Sequence, residues 1–397
     1  MFCPRLSRNA GLLAALGHEV VTISTLFPAS SLPQSQQPSG VPWRHEFVNL
    51  ADGSRSRWHW MQARRRRKFF SLLPAVLMSG PVALRACCHA GPELARLAAG
   101  LRADVYFAHT HAALPVAAAA ARDAEARLVF DAEDMLAESS AEPVALMDFI
   151  ERRHAPRCDL VLTMSVVAAE RLQSRLALAK TPMVLHNTPF LAERTGLVPP
   201  DGRLKNERVS FYWFGQRVGA HSCADQILRA MAKLSRPSRL VLRGTPEADF
   251  VGGLEKLAGE LGLRDALEIH PRAAASDMVR LAGEHDVCFG TQPSDEPFHQ
   301  LAVGNKVFTG LLAGCAVGLT DTVAHRRLMR DMDGAAFLFP NNDPTALAQR
   351  LEEILSVPEK LQAMKRRAWE LGGAKFNWEI ESAQLADWVR NLAPRTE

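Results

Sequence analysis

The chain has 397 residues, 47% hydrophobic and 23% charged, with 47 Lys and Arg against 43 Asp and Glu for a formal net charge of +4. One hydrophobic core stops growing near ~250–300 residues, so two domains are expected. The balanced charge argues against a nucleic-acid partner.

Cys3, Cys87, Cys88, Cys158, Cys223, Cys288 and Cys315 include no CxxC pair, and several sit in apolar runs. They read as buried, reduced thiols of a cytoplasmic protein. The opening residues lack the apolar core and cleavage site of a signal peptide. Phe69–Leu84, the stretch that comes nearest to a spanning length of apolar residues, contains Pro74, Gly80 and Pro81, which argue against a spanning helix.

Short β-branched runs read as buried parallel strands at Glu19–Ser24, Asp104–Ala108, Arg127–Asp131, Leu160–Met164 and Met183–His186. Ala/Leu/Arg-rich helical stretches lie between them, as parallel crossovers require. Residues 187–207 have linker composition, with Pro189, Gly196, Pro199, Pro200 and Gly202. The alternation restarts at Val209–Phe214, Leu240–Arg243, Leu267–His270, Val287–Gly290 and Ala316–Leu319, and residues 344–391 are helical in pattern. The expected domains are 1–190 and 208–375, with a terminal helix over 376–397.

Open parallel sheets bind ligands beyond the carboxyl ends of their strands. His109 and His111 follow the strand ending at Ala108. Imidazole can donate, accept or carry a proton near neutral pH, so His109 is a candidate for touching a sugar hydroxyl or a leaving phosphate. The plainer alternative is a loop histidine before a helix. Asp131, Glu133 and Asp134 end the next strand; they either bind hydroxyls and tune His109 or complement a helix dipole. In the second half, Gly215-Gln216-Arg217 reads as a strand-to-helix turn offering N–H groups to a diphosphate, with Arg217 and Arg243 as candidate cations. No GxGxxG motif occurs. Lys306, after Glu296 and Asn305, falls at a predicted helix start, where a cation is disfavoured unless it meets an anion.

Arg64-Arg65-Arg66-Arg67-Lys68 precedes Phe69-Phe70-Ser71-Leu72-Leu73. The run reads either as a solvated helix face or as an acceptor or membrane patch, each charge contributing about 1 kcal/mol at an anionic surface. HExxH or Cys/His ligand spacing, a GxSxG elbow and a P-loop are not found, so neither a metal nor a cofactor is expected.

Taken in order, these segments resemble the GT-B fold glycosyltransferases of the family-four type. The resemblance runs from Arg5–Val20 through Ala103–His109, Leu128–Asp134, Asp159–Ser165 and Val184–Pro189. It continues through Tyr212–Gly215, Leu242–Gly244, Asn305–Phe308, Ala313-Gly314 and Asn342–Pro344. It implies an α/β fold of two Rossmann-like domains with parallel sheets facing a central cleft. It also implies a retaining transfer from a nucleotide diphosphate-sugar to a glycan, lipid-linked or small hydroxyl acceptor. His109 would lie by the donor sugar, Lys306 by its phosphates, and a helix over about 376–392 would return to the first domain.

The sequence departs from the family where Leu301 and Thr309 replace its paired glutamates, and where Gln216 and Ala220 or His221 replace an Arg and a Lys. The chain opens where the resemblance puts the end of a first strand, so the glycine-rich acceptor loop has no match; either the start lies upstream or one edge of the site is lacking. Two other readings stay open: a sugar-nucleotide epimerase and a degenerate binding module.

Overall fold

The computed structural model describes residues 4–26, 40–50, 53–203, 208–293 and 296–392; Cys3 and Asp295 lie outside them. The chain divides into two compact units, Met1–Leu185 with Gln384–Glu397, and His186–Ala383.

In the first unit, α1 (Pro4–Ala15) leads into a parallel pair, β1 (Val21–Leu26) and β2 (Arg44–Asn49). Three helices follow: α2 (Gly53–Ser71), α3 (Gly80–Cys87) and α4 (Gly91–Leu101). A second parallel sheet has the order β3 (Val105–His109), β4 (Arg127–Ala132), β5 (Leu160–Thr163), β6 (Met183–Val184). Between its strands run α5 (Thr110–Asp123), α6 (Val144–His154) and α7 (Val166–Leu176). Leu128, Val129 and Phe130 are all buried, as expected for a strand covered on both faces. The Ser165 hydroxyl caps α7 by accepting from the Ala168 N–H at 3.0 Å.

Two buried ionic networks tie this unit together. Arg5 and Asp131 are 1% and 0% exposed, with Nε 2.6 Å from Oδ2. The same guanidinium donates to the carbonyls of Leu185 and Thr163. It therefore holds the first turn of α1 against the carboxyl ends of β4 and β5 and the residue after β6. Deeper in, His111 of α5 donates to Glu151 of α6, Nε2 to Oε1 2.5 Å, and Arg175 of α7 pairs with the same carboxylate.

The second unit is one six-stranded parallel sheet. Its strands are β7 (Val209–Val218), β8 (Ser238–Pro246), β9 (Leu267–His270), β10 (Val287–Gly290), β11 (Ala316–Thr320) and β12 (Ala336–Phe339). Their order is β12-β11-β10-β7-β8-β9. The helices are α8 (Ala224–Met231), α9 (Ala248–Glu260), α10 (Met278–Ala282), α11 (Pro297–Leu301), α12 (Asn305–Ala313), α13 (Val323–Met329), α14 (Pro344–Leu355), α15 (Pro358–Ala374) and α16 (Trp378–Glu381). Phe211, Trp213, Phe289, Phe337 and Phe339 fill one side of the sheet. A Cβ on Gly372 would lie 2.5 Å from Leu312 Cα, so glycine there lets α15 press against α12.

The single terminal helix expected over 376–392 is broken into α16 and α17 (Ala383–Arg390). From Gln384 onward it belongs to the first unit, where the Gln384 amide donates to the Val184 carbonyl. The expected end of a strand at Phe214 is also corrected, since β7 continues to Val218 with a register shift against β8 between Phe214 and Arg217. β2 and β12 had no counterpart among the expected strands.

Replacing Arg5 by Met would strand the Asp131 carboxylate without its counter-charge. A loss of about 3–5 kcal/mol is expected in urea unfolding at pH 7. The Arg5–Asp131 pair holds the Asp131 pKa at about 2, below its ordinary value. Its stabilisation is therefore present above the unfolded pKa and fades as pH falls toward 2, so wild type and variant should converge under acid.

Candidate functional site

In the first unit, His109 ends β3 and precedes α5. Its side chain is 9% exposed and its Nδ1 lies 3.3 Å from Asp131 Oδ2. The ring stacks on Phe107, centroids 4.9 Å apart. Next comes Thr110 with φ 69. A β-branched residue in the left-handed region costs free energy and is held there only by its surroundings. His109 also lines a cavity of about 450 Å³ between α1, β1, β3 and α5.

Asp131, expected to bind hydroxyls and tune His109 or to complement a helix dipole, contacts His109. It is wholly buried and engaged by Arg5. Burial alone would raise its pKa, but the Arg5 charge and the His109 contact outweigh this and bring it to about 2. It is thus a fixed anion that orients His109. Glu133 lies one residue beyond β4 and is part-exposed. His111 is a core residue, and burial lowers its pKa to about 4, so a neutral imidazole meets Glu151.

In the second unit, Lys306 is the second residue of α12. Its Nζ sits 5.0 Å from the centre of the Trp213 ring. Among the described residues Nζ makes no ion pair and no hydrogen bond. The side chain as a whole keeps some open surface, yet the ammonium is deep enough that desolvation lowers its pKa to about 8, with the Cys288 and Cys223 thiols opposing. Gly304 caps α12 without a side chain to accept from the first N–H groups. A cation and uncapped donors thus meet at one helix start, beside strand ends.

Trp213 is held in place by donating from Nε1 to Thr291 Oγ1 at 2.9 Å. The His221 ring meets its edge at 5.4 Å, and desolvation, then Lys306, lowers the His221 pKa. Trp213 and Thr291 were not among the expected site residues, and His221 figures only as a departure from the family's lysine. Trp213 reads as core from its apolar neighbours, and Thr291 carries no local signal.

Gly215 is not a turn offering N–H groups to an anion. It lies within β7, and a Cβ there would come 2.4 Å from the Trp213 ring, so the indole requires the glycine. Gln216 and Arg217 are exposed at the end of the same strand. Arg217 pairs with Glu247 at 3.0 Å, and Arg243 donates to the Pro271 carbonyl at 3.0 Å. Glu296 caps α11, and Asn305 is the exposed first residue of α12.

The basic run lies on α2, but its members diverge. Arg66 turns inward to Glu93 at 2.6 Å, and Arg67 donates to the Ala86 carbonyl. Arg64, Arg65 and Lys68 stay exposed, next to Phe69 and Leu72, which are 63% and 73% exposed. No helix among the described residues is long and apolar enough to cross a membrane.

Residues 4–188 match the Glycosyl transferase 4-like domain family. That match runs from α1 to just past β6 of the first unit. A D-inositol 3-phosphate glycosyltransferase of Streptomyces griseus is 26% identical over 192 residues, 44% of this chain and 37% of that protein. The chain thus matches well under half of that relative's length. The structure of Anabaena Alr3699/HepE in complex with UDP superposes with TM-score 0.67 at 17% identity, over 94% of this chain and 100% of that one. A glycosyltransferase from Rickettsia africae gives 0.68 at 13%, over 98% and 95%. The architecture of the whole chain, two successive units built on parallel sheets, is the GT-B fold.

A Lys306→Met variant should be more stable than wild type at pH 7, because it removes an ammonium that the fold desolvates without pairing. A lowered lysine pKa means the unfolded chain binds more protons between pH 8 and 10.5, so wild-type stability rises there. The gap between the two proteins, read by urea unfolding across pH, should narrow over that interval.

Proposed function

We propose that the protein is a glycosyltransferase moving a sugar from a nucleoside-diphosphate sugar to a hydroxyl acceptor, with retention at the anomeric carbon. The observation that carries this is Lys306: a desolvated ammonium over an indole, lacking a carboxylate, at a helix start whose N–H groups are uncapped. Such a place suits a diphosphate, whose negative charge grows as the sugar departs. In this reading Lys306 and the first N–H groups of α12 stabilise the leaving diphosphate, and no metal is required. Turnover should then survive EDTA.

His109 is assigned to the reacting sugar and acceptor side. The Asp131 carboxylate lies 3.3 Å from its Nδ1, and Nε2 is assigned to a ligand. UDP is the first nucleotide to try, since Anabaena HepE has been solved with UDP. Calorimetry should detect UDP or GDP binding that Lys306→Ala lowers by about 10²-fold. His109→Ala should retain that binding while turnover falls ~10²-fold. A chain that bound neither nucleotide would instead be a degenerate module, and product formation from donor alone would indicate an epimerase.

The acceptor is proposed to be presented at an anionic lipid surface, as a lipid-linked or membrane-proximal glycan. Arg64, Arg65 and Lys68 stand beside exposed Phe69 and Leu72 and line a groove of about 590 Å³ with Arg67 and His89. Flotation with phosphatidylglycerol vesicles should carry the protein, phosphatidylcholine vesicles should not, and changing the three exposed cations to Glu should abolish the difference. Equal flotation of the triple variant would remove the membrane from this reading.

A further inference from the structure

Arg66 separates the basic run of α2 into charge that the fold uses and charge that it does not. Its guanidinium takes both oxygens of Glu93, at 2.7 and 2.6 Å, and the His89 carbonyl at 2.7 Å. Among the described residues Arg64, Arg65, Arg67 and Lys68 form no ion pair. All four line the groove of about 590 Å³, together with His89. Spacings of three and four residues put Arg64 beside Arg67 and Lys68, and Arg65 beside Lys68. Like charges so placed on a helix repel. The dipole of α2 favours Lys68, in its last turn, but does not reach the arginines ahead of it.

The inner wall of the groove is organised. Arg67 is held by donating from Nε to the Ala86 carbonyl at 3.3 Å, and its Nη1 lies 3.5 Å from His89 Nε2. The His89 ring packs on Trp60 with centroids 4.9 Å apart, and Arg64 lies over the same indole at 5.8 Å. Burial, then the charges of Arg67, Arg64 and Arg66, hold the His89 pKa down to about 4. The imidazole therefore accepts from Arg67 and adds no further cation. A guanidinium offers paired N–H groups that match two oxygens of a phosphate, and the cluster carries more charge than one carboxylate neutralises. A volume of this size also has room for the organic group that a phosphate is attached to.

We propose that this groove is a recognition site for a terminal phosphate or diphosphate ester, gripped by Arg64, Arg65, Arg67 and Lys68, with Arg67 as the donor the fold fixes in advance. The assignment rests on the reading of α2 as an acceptor patch and narrows it. Diffuse attraction to an anionic bilayer accepts singly charged phosphodiesters. A site with this many cations around one cavity selects an end group bearing two or more charges, which offsets their mutual repulsion.

The test titrates inorganic pyrophosphate into the full-length Lys306→Met chain, which lacks the cation assigned to the nucleotide. Calorimetry should give one saturable site, and the His89 ring resonances should shift with the same isotherm. Arg67→Gln should weaken binding roughly tenfold or more, while Arg127→Gln, which removes a cation paired with Asp159 elsewhere in this unit, should leave it unchanged. Should Arg67→Gln fail to fold, the double variant Arg64→Gln/Arg65→Gln at two exposed positions must weaken the same site as much. Vesicles of phosphatidic acid, whose headgroup is a phosphomonoester, are then compared with phosphatidylglycerol vesicles of equal surface charge. Displacement of pyrophosphate by the first alone places the phosphate on a lipid, and displacement by neither places it on a soluble ester. Absence of saturable binding, binding unmoved by the arginine variants, or equal displacement by both vesicles would overturn the site. None of those three results would bear on flotation with phosphatidylglycerol, which tests the membrane reading separately.

Discussion

Asp131 ends a strand inside an apolar layer, where an isolated carboxylate would cost several kcal/mol. The fold meets that cost with Arg5, a residue of the first helix, and the same guanidinium also takes the carbonyls of Thr163 and Leu185. One buried cation therefore fixes the rim on which three strand ends converge. His109 approaches the same carboxylate oxygen that Arg5 holds. Its position is a consequence of the ion pair, and the left-handed Thr110 that follows is tolerated because the residues before it are already fixed.

The second unit resolves a buried charge in the opposite way. Lys306 is desolvated, yet the fold supplies an aromatic face in place of a carboxylate. An indole attracts a cation without neutralising it. Trp213 is itself locked by Thr291 and given room by Gly215. On the proposed function, the arrangement gives up some stability to keep a cation available for a diphosphate.

Much of this was legible in the sequence and some was not. Strands buried on both faces show themselves as continuous apolar runs, and β4, β5, β10 and β11 fall close to where such runs place them. β2 was missed because Arg44-His45-Glu46-Phe47-Val48-Asn49 carries charge at an exposed edge, where burial imposes no apolar pattern. β7 was cut short because a glycine after an aromatic run reads as a break, whereas here it accommodates a neighbouring ring. His109 and Lys306 stand where the sequence puts them, at the end of a strand and at a helix start. The commitment of Asp131 to Arg5 was invisible, since the partners are 126 residues apart and only the fold brings them together. The basic run divides for a related reason: a helix turns successive side chains by about 100°, so Arg66 faces Glu93 and Arg67 the Ala86 carbonyl while Arg64, Arg65 and Lys68 face solvent.

The split of the first unit into two sheets changes what Arg5 must do. β1 and β2 share no ladder with β3, so backbone hydrogen bonding does not transmit position from one pair of edges to the other. Among the described residues the link runs instead through packing, with α4 against β1, β2 and α5, while α1 is located by charge at its first turn. Apolar contacts along a helix are non-directional. Where a ladder is interrupted, a directional interaction has to locate the helix, and a guanidinium that bonds a carboxylate and two carbonyls at once is the side chain best suited to that task.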